Sequence, residues 1–210
     1  MIDDLFQKKP LDPSRVVCHS GGAVGSDTVF EEIGAEFGVS TRAYSYKTKL
    51  HSSPNKVEIS NEDYAEGVLE IGRANRVLGR YGINKYMSLL ARNWAQVKYS
   101  RQVFAIGFIV EAGAKGPKGY KNVAKTAVVD GGTGYAVQMA VNHEREVYVF
   151  DQKKDRWFRW SYVSNAFVQL ASDPAISESD FAGIGTREIA PNGIAAIRRL
   201  YEKTFSAKSI

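Results

Sequence analysis

The chain reads as an α/β fold with a mainly parallel, doubly wound sheet and helices on both faces. Two observations carry this. A short apolar run, Arg15-Val16-Val17-Cys18-His19, meets a glycine turn and then a helical pattern, and Gln102-Val103-Phe104-Ala105-Ile106-Gly107-Phe108-Ile109 is too apolar for a half-exposed strand. A strand of the second kind is covered on both faces, which implies parallel neighbours and flanking helices. At 210 residues, 44% hydrophobic and 24% charged, the composition is that of one globular domain, residues 1–210, with a sizeable core.

The first turn is Ser20-Gly21-Gly22-Ala23-Val24-Gly25-Ser26-Asp27, and Val29, Phe30, Ile33 and Phe37 share a helix face before Gly38. Strand, glycine turn and helix N-terminus together leave backbone N–H groups pointing at an anion, with phosphate the expected one. Ser40 to Tyr46 is β-prone and runs into a polar loop from Lys47 to Asn55, where Lys47, Lys49 and His51 can close over a ligand or remain solvated. Ser60 with Asp63 marks a helix cap, followed by Tyr64, Val68, Ile71 and Leu78 at helical spacing. Met87, Leu90, Trp94 and Val97 form a core-facing stripe on the next helix, with Arg92, Asn93 and Gln96 off it.

Residues 113–121 read as a loop. Thr126-Ala127-Val128-Val129 predicts a strand leading into Asp130-Gly131-Gly132-Thr133-Gly134 and a helix with Ala136, Val137, Ala140 and Val141. Glu146 to Asp151 and Arg156 to Trp160 predict an aromatic β-hairpin that could stack bases but more simply forms a sheet edge or subunit contact. Phe181-Ala182-Gly183-Ile184-Gly185-Thr186-Arg187-Glu188 is a third strand-to-glycine turn, and Pro191 opens a helix in which Ile194, Ile197, Leu200, Tyr201 and Phe205 share a face. Three such turns at one edge of one sheet predict a ligand crevice there.

Charge and cysteine content bound the chemistry. The net charge of +5 favours an anionic partner. The expectation is positive charge interspersed with Asp and Glu, which makes nucleic acid an unfavoured partner. The single cysteine, Cys18, excludes an internal disulfide and reads as a buried strand residue in a reducing compartment. No metal-ligand spacing, secretion signal or membrane-length apolar run is visible, so a cytoplasmic protein without metal, cofactor or membrane partner is expected.

The pairing of Ser20-Gly21-Gly22-Ala23-Val24-Gly25-Ser26-Asp27 with Ala182-Gly183-Ile184-Gly185-Thr186-Arg187-Glu188 resembles the SLOG superfamily of Rossmann-like nucleotide-binding domains. That group includes the LOG phosphoribohydrolases, the DNA-processing protein DprA, putative molybdenum-cofactor carriers and sensors of cyclic ADP-ribose-type signals. The order here is reversed relative to those relatives, so the resemblance implies a circular permutation with Ile210 near the N-terminal segment, and a homo-oligomer with the Trp157 to Trp160 hairpin as one contact.

The LOG motif P-G-G-x-G-T-x-x-E laid on Gly131 to Gln138 keeps its glycines, but Tyr135 replaces Thr and Gln138 replaces the catalytic Glu. An amide is not a general base. The resemblance therefore implies a nucleotide binder. Gly21, Gly22, Gly132, Thr133 and Gly185 would hold phosphates, with Ser20, Gly131, Gly134, Gly183 and Thr186 beside them. Arg187 would act as clamp, and Asp27 and Gln138 would read sugar hydroxyls. An enzyme would need a displaced acid, with Asp27, Glu31 and Asp130 as candidates and Glu188 further off. The competing roles are capping for Asp27, solvation for Glu31 and turn bracing for Asp130. A DprA-like DNA binder would need a continuous basic face.

Overall fold

The computed structural model describes residues 11–48, 51, 53–117 and 119–206. The elements are β1 (Val17–Ser20), α1 (Ser26–Glu36), β2 (Ser40–Ser45), β3 (Lys56–Glu58), α2 (Asn61–Leu78), α3 (Met87–Lys98), β4 (Gln102–Gly107), β5 (Ile109–Val110), β6 (Val128–Val129), α4 (Thr133–Asn142), β7 (Glu146–Asp151), β8 (Arg156–Ser161), β9 (Ala166–Gln169), β10 (Asp180–Gly185) and α5 (Pro191–Phe205). Met1 to Asp4, Lys49 and Ile210 lie outside the described residues.

Among the described residues, eight strands form one sheet in the order β3-β2-β1-β10-β4-β7-β8-β9. The pairs from β3 to β7 are parallel, and β7-β8-β9 is an antiparallel meander. The fold is therefore α/β with a mainly parallel sheet. The last strand, β10, occupies the centre between β1 and β4. Counted from β10, the six parallel strands run 4-3-2-1-5-6, and the direction of winding reverses between β10 and β4, as in a doubly wound sheet.

Strand alternation divides the interior in two. Phe104, Ile106, Cys18 and Phe181 join Phe30 of α1 and Ile197, Leu200 and Tyr201 of α5 on one face. Val103, Ala105, Ala182 and Ile184 meet Ile71 of α2, Leu90, Trp94 and Val97 of α3, and Ala136 and Met139 of α4 on the other. Every residue of β4 is buried, the apolar Val103 to Gly107 as their sequence requires and Gln102 through hydrogen bonds to Glu146 and Ser177. Burying each such large side chain contributes roughly 1.5–3 kcal/mol.

Local chemistry sets the helix ends. Ser60 Oγ accepts the Asp63 N–H at 3.0 Å to start α2, and Gly79 ends it in the left-handed region. Pro191 occupies the first turn of α5.

Four expectations need correction. Ile194 is 40% exposed, because the buried stripe of α5 runs through Gly193, Ala196, Ile197, Leu200 and Tyr201. Arg92, Asn93 and Gln96 are buried along with the apolar stripe, because α3 packs against α2 and α4 as well as β1 and β2. Only Val128–Val129 of the strand expected over Thr126–Val129 is extended, and β6 pairs antiparallel with β5 in a separate two-stranded sheet. Its glycine turn still falls just beyond β4, because Asp130 N–H bonds the Phe108 carbonyl at 2.9 Å. Lastly, β8 is an inner strand with β9 at the edge, and Trp157 and Trp160 are 3% and 6% exposed in opposite cores. Among the described residues, no helix is long and apolar enough to cross a membrane.

Candidate functional site

The turn after β1 and the turn after β10 are interlocked. Ser26 donates its N–H and its hydroxyl to the Thr186 carbonyl, at 3.1 and 2.9 Å. Gly25 sits at φ 106°, and a Cβ there would lie 2.4 Å from the Arg187 carbonyl, so both backbone conformation and close approach exclude a side chain. Gly185 meets Ser26 and the Ile106 carbonyl in the same way, and Gly183 lies under the Phe30 ring. The second glycine pair of the sequence thus serves close packing of α1 on β10.

Gly21 and Gly22 open onto a cavity of about 70 Å³, which is also lined by Tyr44, His51, Leu89, Arg92 and Arg187. Beneath it, Asp27 is 5% exposed and Arg92 4% exposed. Arg92 Nη1 donates to Asp27 Oδ2 at 3.4 Å and to Gln96 Oε1 at 3.1 Å, and the Ala23 N–H reaches Asp27 Oδ2 at 3.4 Å. Burial raises the Asp27 carboxyl above its ordinary range, with Arg92 opposing that shift. His51 packs on Gly22, and burial, reinforced by the charges of Arg92 and Lys56, holds its imidazole below the usual range. At neutral pH the cavity therefore presents two guanidinium groups, an uncharged imidazole and glycine backbone beside the start of α1. That combination suits an oxyanion.

The other predicted residues are placed as follows. Glu31 is 8% exposed and accepts from Ser53 Oγ at 2.6 Å and Asn55 Nδ2 at 2.7 Å, which ties the loop after β2 to α1. Ser20 Oγ donates to the Asp27 carbonyl at 3.2 Å and so braces the first turn. Gly131, Gly132, Thr133 and Gly134 are outside the cavity lining. Arg80 donates to the Gly131 and Val129 carbonyls at 2.5 and 2.6 Å, and Asn93 Nδ2 donates to the Gly132 carbonyl at 3.2 Å. Adjacent residues of α3, Arg92 and Asn93, thus hold the Gly21–Gly22 turn and the Gly131–Gly132 turn. Asp130 accepts the Gly134 N–H at 3.3 Å through its carbonyl, and Gln138 donates to Asn142 on α4. Glu188 is exposed beyond Thr186.

Sequence reasoning missed Arg92 and Arg80, since both act across the fold. The available signal was the polar pair Arg92 and Gln96, one helical turn apart beside an apolar stripe. His19 of β1 is packed and bonded, to the Tyr44 hydroxyl at 2.9 Å and Asp180 at 3.0 Å. A larger cavity, about 220 Å³, lies among Ile109, Phe158, Phe167 and Lys154. Its lining is largely apolar and its lysine is paired with Glu111 at 3.0 Å, so it offers an anion little. Among the described residues, no group of three or more His, Cys, Asp or Glu is placed to hold a metal ion.

Comparison with protein-family models, with curated proteins and with solved structures gave no match for this chain.

Proposed function

We propose that this protein binds a phosphorylated, nucleotide-derived small molecule at the Gly21–Gly22 turn, as a sensor or sequestering protein without turnover. The observation that carries this reading is the cavity where that turn meets Arg92, Arg187 and His51. About 70 Å³ accommodates a phosphate and no nucleoside, so base and sugar would extend across the rim past Tyr46 and Leu89. The central position of β10 supports a circularly permuted relative of the SLOG group, and a cyclic nucleotide or ADP-ribose-type signal is the ligand class that follows by analogy.

Gln138, in the place of the family's catalytic glutamate, carries no acid. The position of Asp27 beneath the Gly21–Gly22 turn, bonded to Arg92 and the Ala23 N–H, supports a second reading, an N-glycosidase of phosphoribohydrolase type with Asp27 as its displaced carboxyl group.

Native mass spectrometry, with a panel of nucleoside monophosphates, ADP-ribose isomers and cyclic dinucleotides, tests both. Intact ligand retained by the native protein, and lost on Arg187→Ala, supports the binder. Release of free base and ribose phosphate, abolished by Asp27→Asn, makes the protein an enzyme. No retained ligand and no product from any member of the panel removes both readings.

A further inference from the structure

The positive charge is not interspersed as expected from the totals. Between residues 71 and 129 there are eleven Lys and Arg and one acid, Glu111, a net charge of +10 that leaves −5 for the rest of the chain. Several of these cations are committed: Arg80 to the Gly131–Gly132 turn, Arg92 to Asp27, Arg73 to Glu70, and Lys98 to Asp63 and Glu66. Glu111 is itself taken by Lys154.

Lys85, Lys115, Lys121 and Lys125 are exposed and form no ion pair with a described residue. They lie on two segments that the fold brings together. One is the connection from α2 to α3, and the other is the excursion between β5 and β6. Gly79 of the first packs so closely on Val123 of the second that a Cβ would lie 2.7 Å from its methyl group.

The excursion is a built structure. Asn122, 6% exposed, donates to the Val110 and Thr126 carbonyls and accepts from the Ala124 N–H, all within 3.0 Å. Lys115 and Lys121 face each other across an antiparallel bridge, an arrangement that costs stability and that a solvated loop has no need of. Beside these lysines stand two uncovered tyrosines, Tyr81 at 95% and Tyr120 at 76% exposure, and Tyr86, 49% exposed with Lys85 Nζ 5.0 Å over its ring. Asp130 lies beside Gly116 and Arg80.

We infer that this surface binds single-stranded nucleic acid, with phosphates on Lys85, Lys115, Lys121 and Lys125 and unpaired bases stacked on Tyr81 and Tyr120. Rings in a basic field recognise a strand whose bases are free; a duplex offers them no base face. An anionic membrane would meet the same charge, but the large side chains exposed here are tyrosines, and Val123, 60% exposed, is a small apolar group beside them, so the strand is favoured. The surface is separate from the Gly21–Gly22 cavity and does not depend on its reading.

Fluorescence anisotropy of labelled oligo(dT) and oligo(U) with the full chain, over a salt series, tests this. Contact with four phosphates gives a log–log salt slope of about −3, or roughly 50-fold weaker binding at 200 than at 50 mM salt. K115E/K121E should lower the slope by about half, and Tyr120→Ala should weaken binding about tenfold with little salt dependence. All three side chains are exposed, so folding is checked by an unchanged melting temperature. Absence of binding at 50 mM salt, equal affinity for a duplex of the same length, or binding to phosphatidylserine vesicles without binding to either strand would overturn the inference.

Discussion

Removing Arg92 tests the electrostatics under the first turn. Its Nη1 lies 3.4 Å from Asp27 Oδ2, and both side chains are nearly inaccessible to water. At an effective dielectric constant near 20 the gross attraction over that distance is about 5 kcal/mol. Arg92→Ala leaves Asp27 in place with only backbone donors, and stranding a buried charge in this way typically costs about 3–5 kcal/mol. In a domain of this length that corresponds to a fall in melting temperature of about 10 °C.

The pH dependence gives a sharper test of the same variant. The folded carboxyl is already raised by burial, and deleting the arginine that opposes this raises it further. A group raised on folding contributes stability that is complete below its unfolded value, near 3.8, and is lost as pH rises through the folded value. The deficit of Arg92→Ala relative to the parent should therefore be small near pH 4 and grow toward neutrality. Asp27→Asn in the Arg92→Ala background removes the stranded charge and should restore about half the loss. Urea unfolding of the four proteins at pH 4.5 and 7.5 supplies the cycle. A loss below about 1 kcal/mol, or one equal at both pH values, would refute a charge-paired Asp27.

Two glycines of α2 should respond oppositely to alanine. At Gly72 a Cβ meets nothing within 4 Å, and Gly72→Ala should stabilise by about 0.5–1 kcal/mol, whereas at Gly67 it would lie 2.3 Å from the Ala91 carbonyl, and thermal unfolding should show a loss of about 1–3 kcal/mol. The Cys18 thiol is fully buried and pushed up to about 12, so a thiol-reactive chromophore at pH 8 should label it only after denaturant is added. Asn122→Ala unties the excursion between β5 and β6 at three hydrogen bonds, and amide exchange should accelerate there while β4 and β10 remain protected; uniform acceleration would contradict a locally built ribbon.

Elements whose cause is local were legible in the sequence. The Ser60–Asp63 cap, Pro191 at the start of α5 and the unbroken apolar run of β4 each act within a few residues, and each appears where the pattern put it. The glycines after β1 and β10 were also legible as turns. Whether such a glycine faces a ligand or a packed neighbour depends on what the fold sets against it, and Gly183 turned out to face Phe30. Arg92 was invisible as a site residue because its partner Asp27 is 65 positions away. The turn after Val129 was read as following a strand of the main sheet because the chain is turned back through Asn122, and no hydrophobic period records that. The charge segregation was countable from the start, but the total of +5 averages it away.

That segregation links the two surfaces and also separates them. The acid-poor stretch sends Arg80 and Arg92 inward, where they hold glycine turns, and sends Lys85, Lys115, Lys121 and Lys125 outward. Salt acts differently on the two sets. The exposed lysines act through solvent, where the Debye length is about 8 Å at physiological ionic strength, whereas Arg92 acts at 3.4 Å in a site nearly closed to water. Raising salt should therefore release a strand held on the lysines well before it releases a phosphate held by Arg92. A single anion occupying both surfaces would show one salt slope under both K115E/K121E and Arg187→Ala. Two ligands on two surfaces give two slopes, each sensitive to its own variant alone, because the lysines and Arg187 belong to different elements and line different parts of the fold.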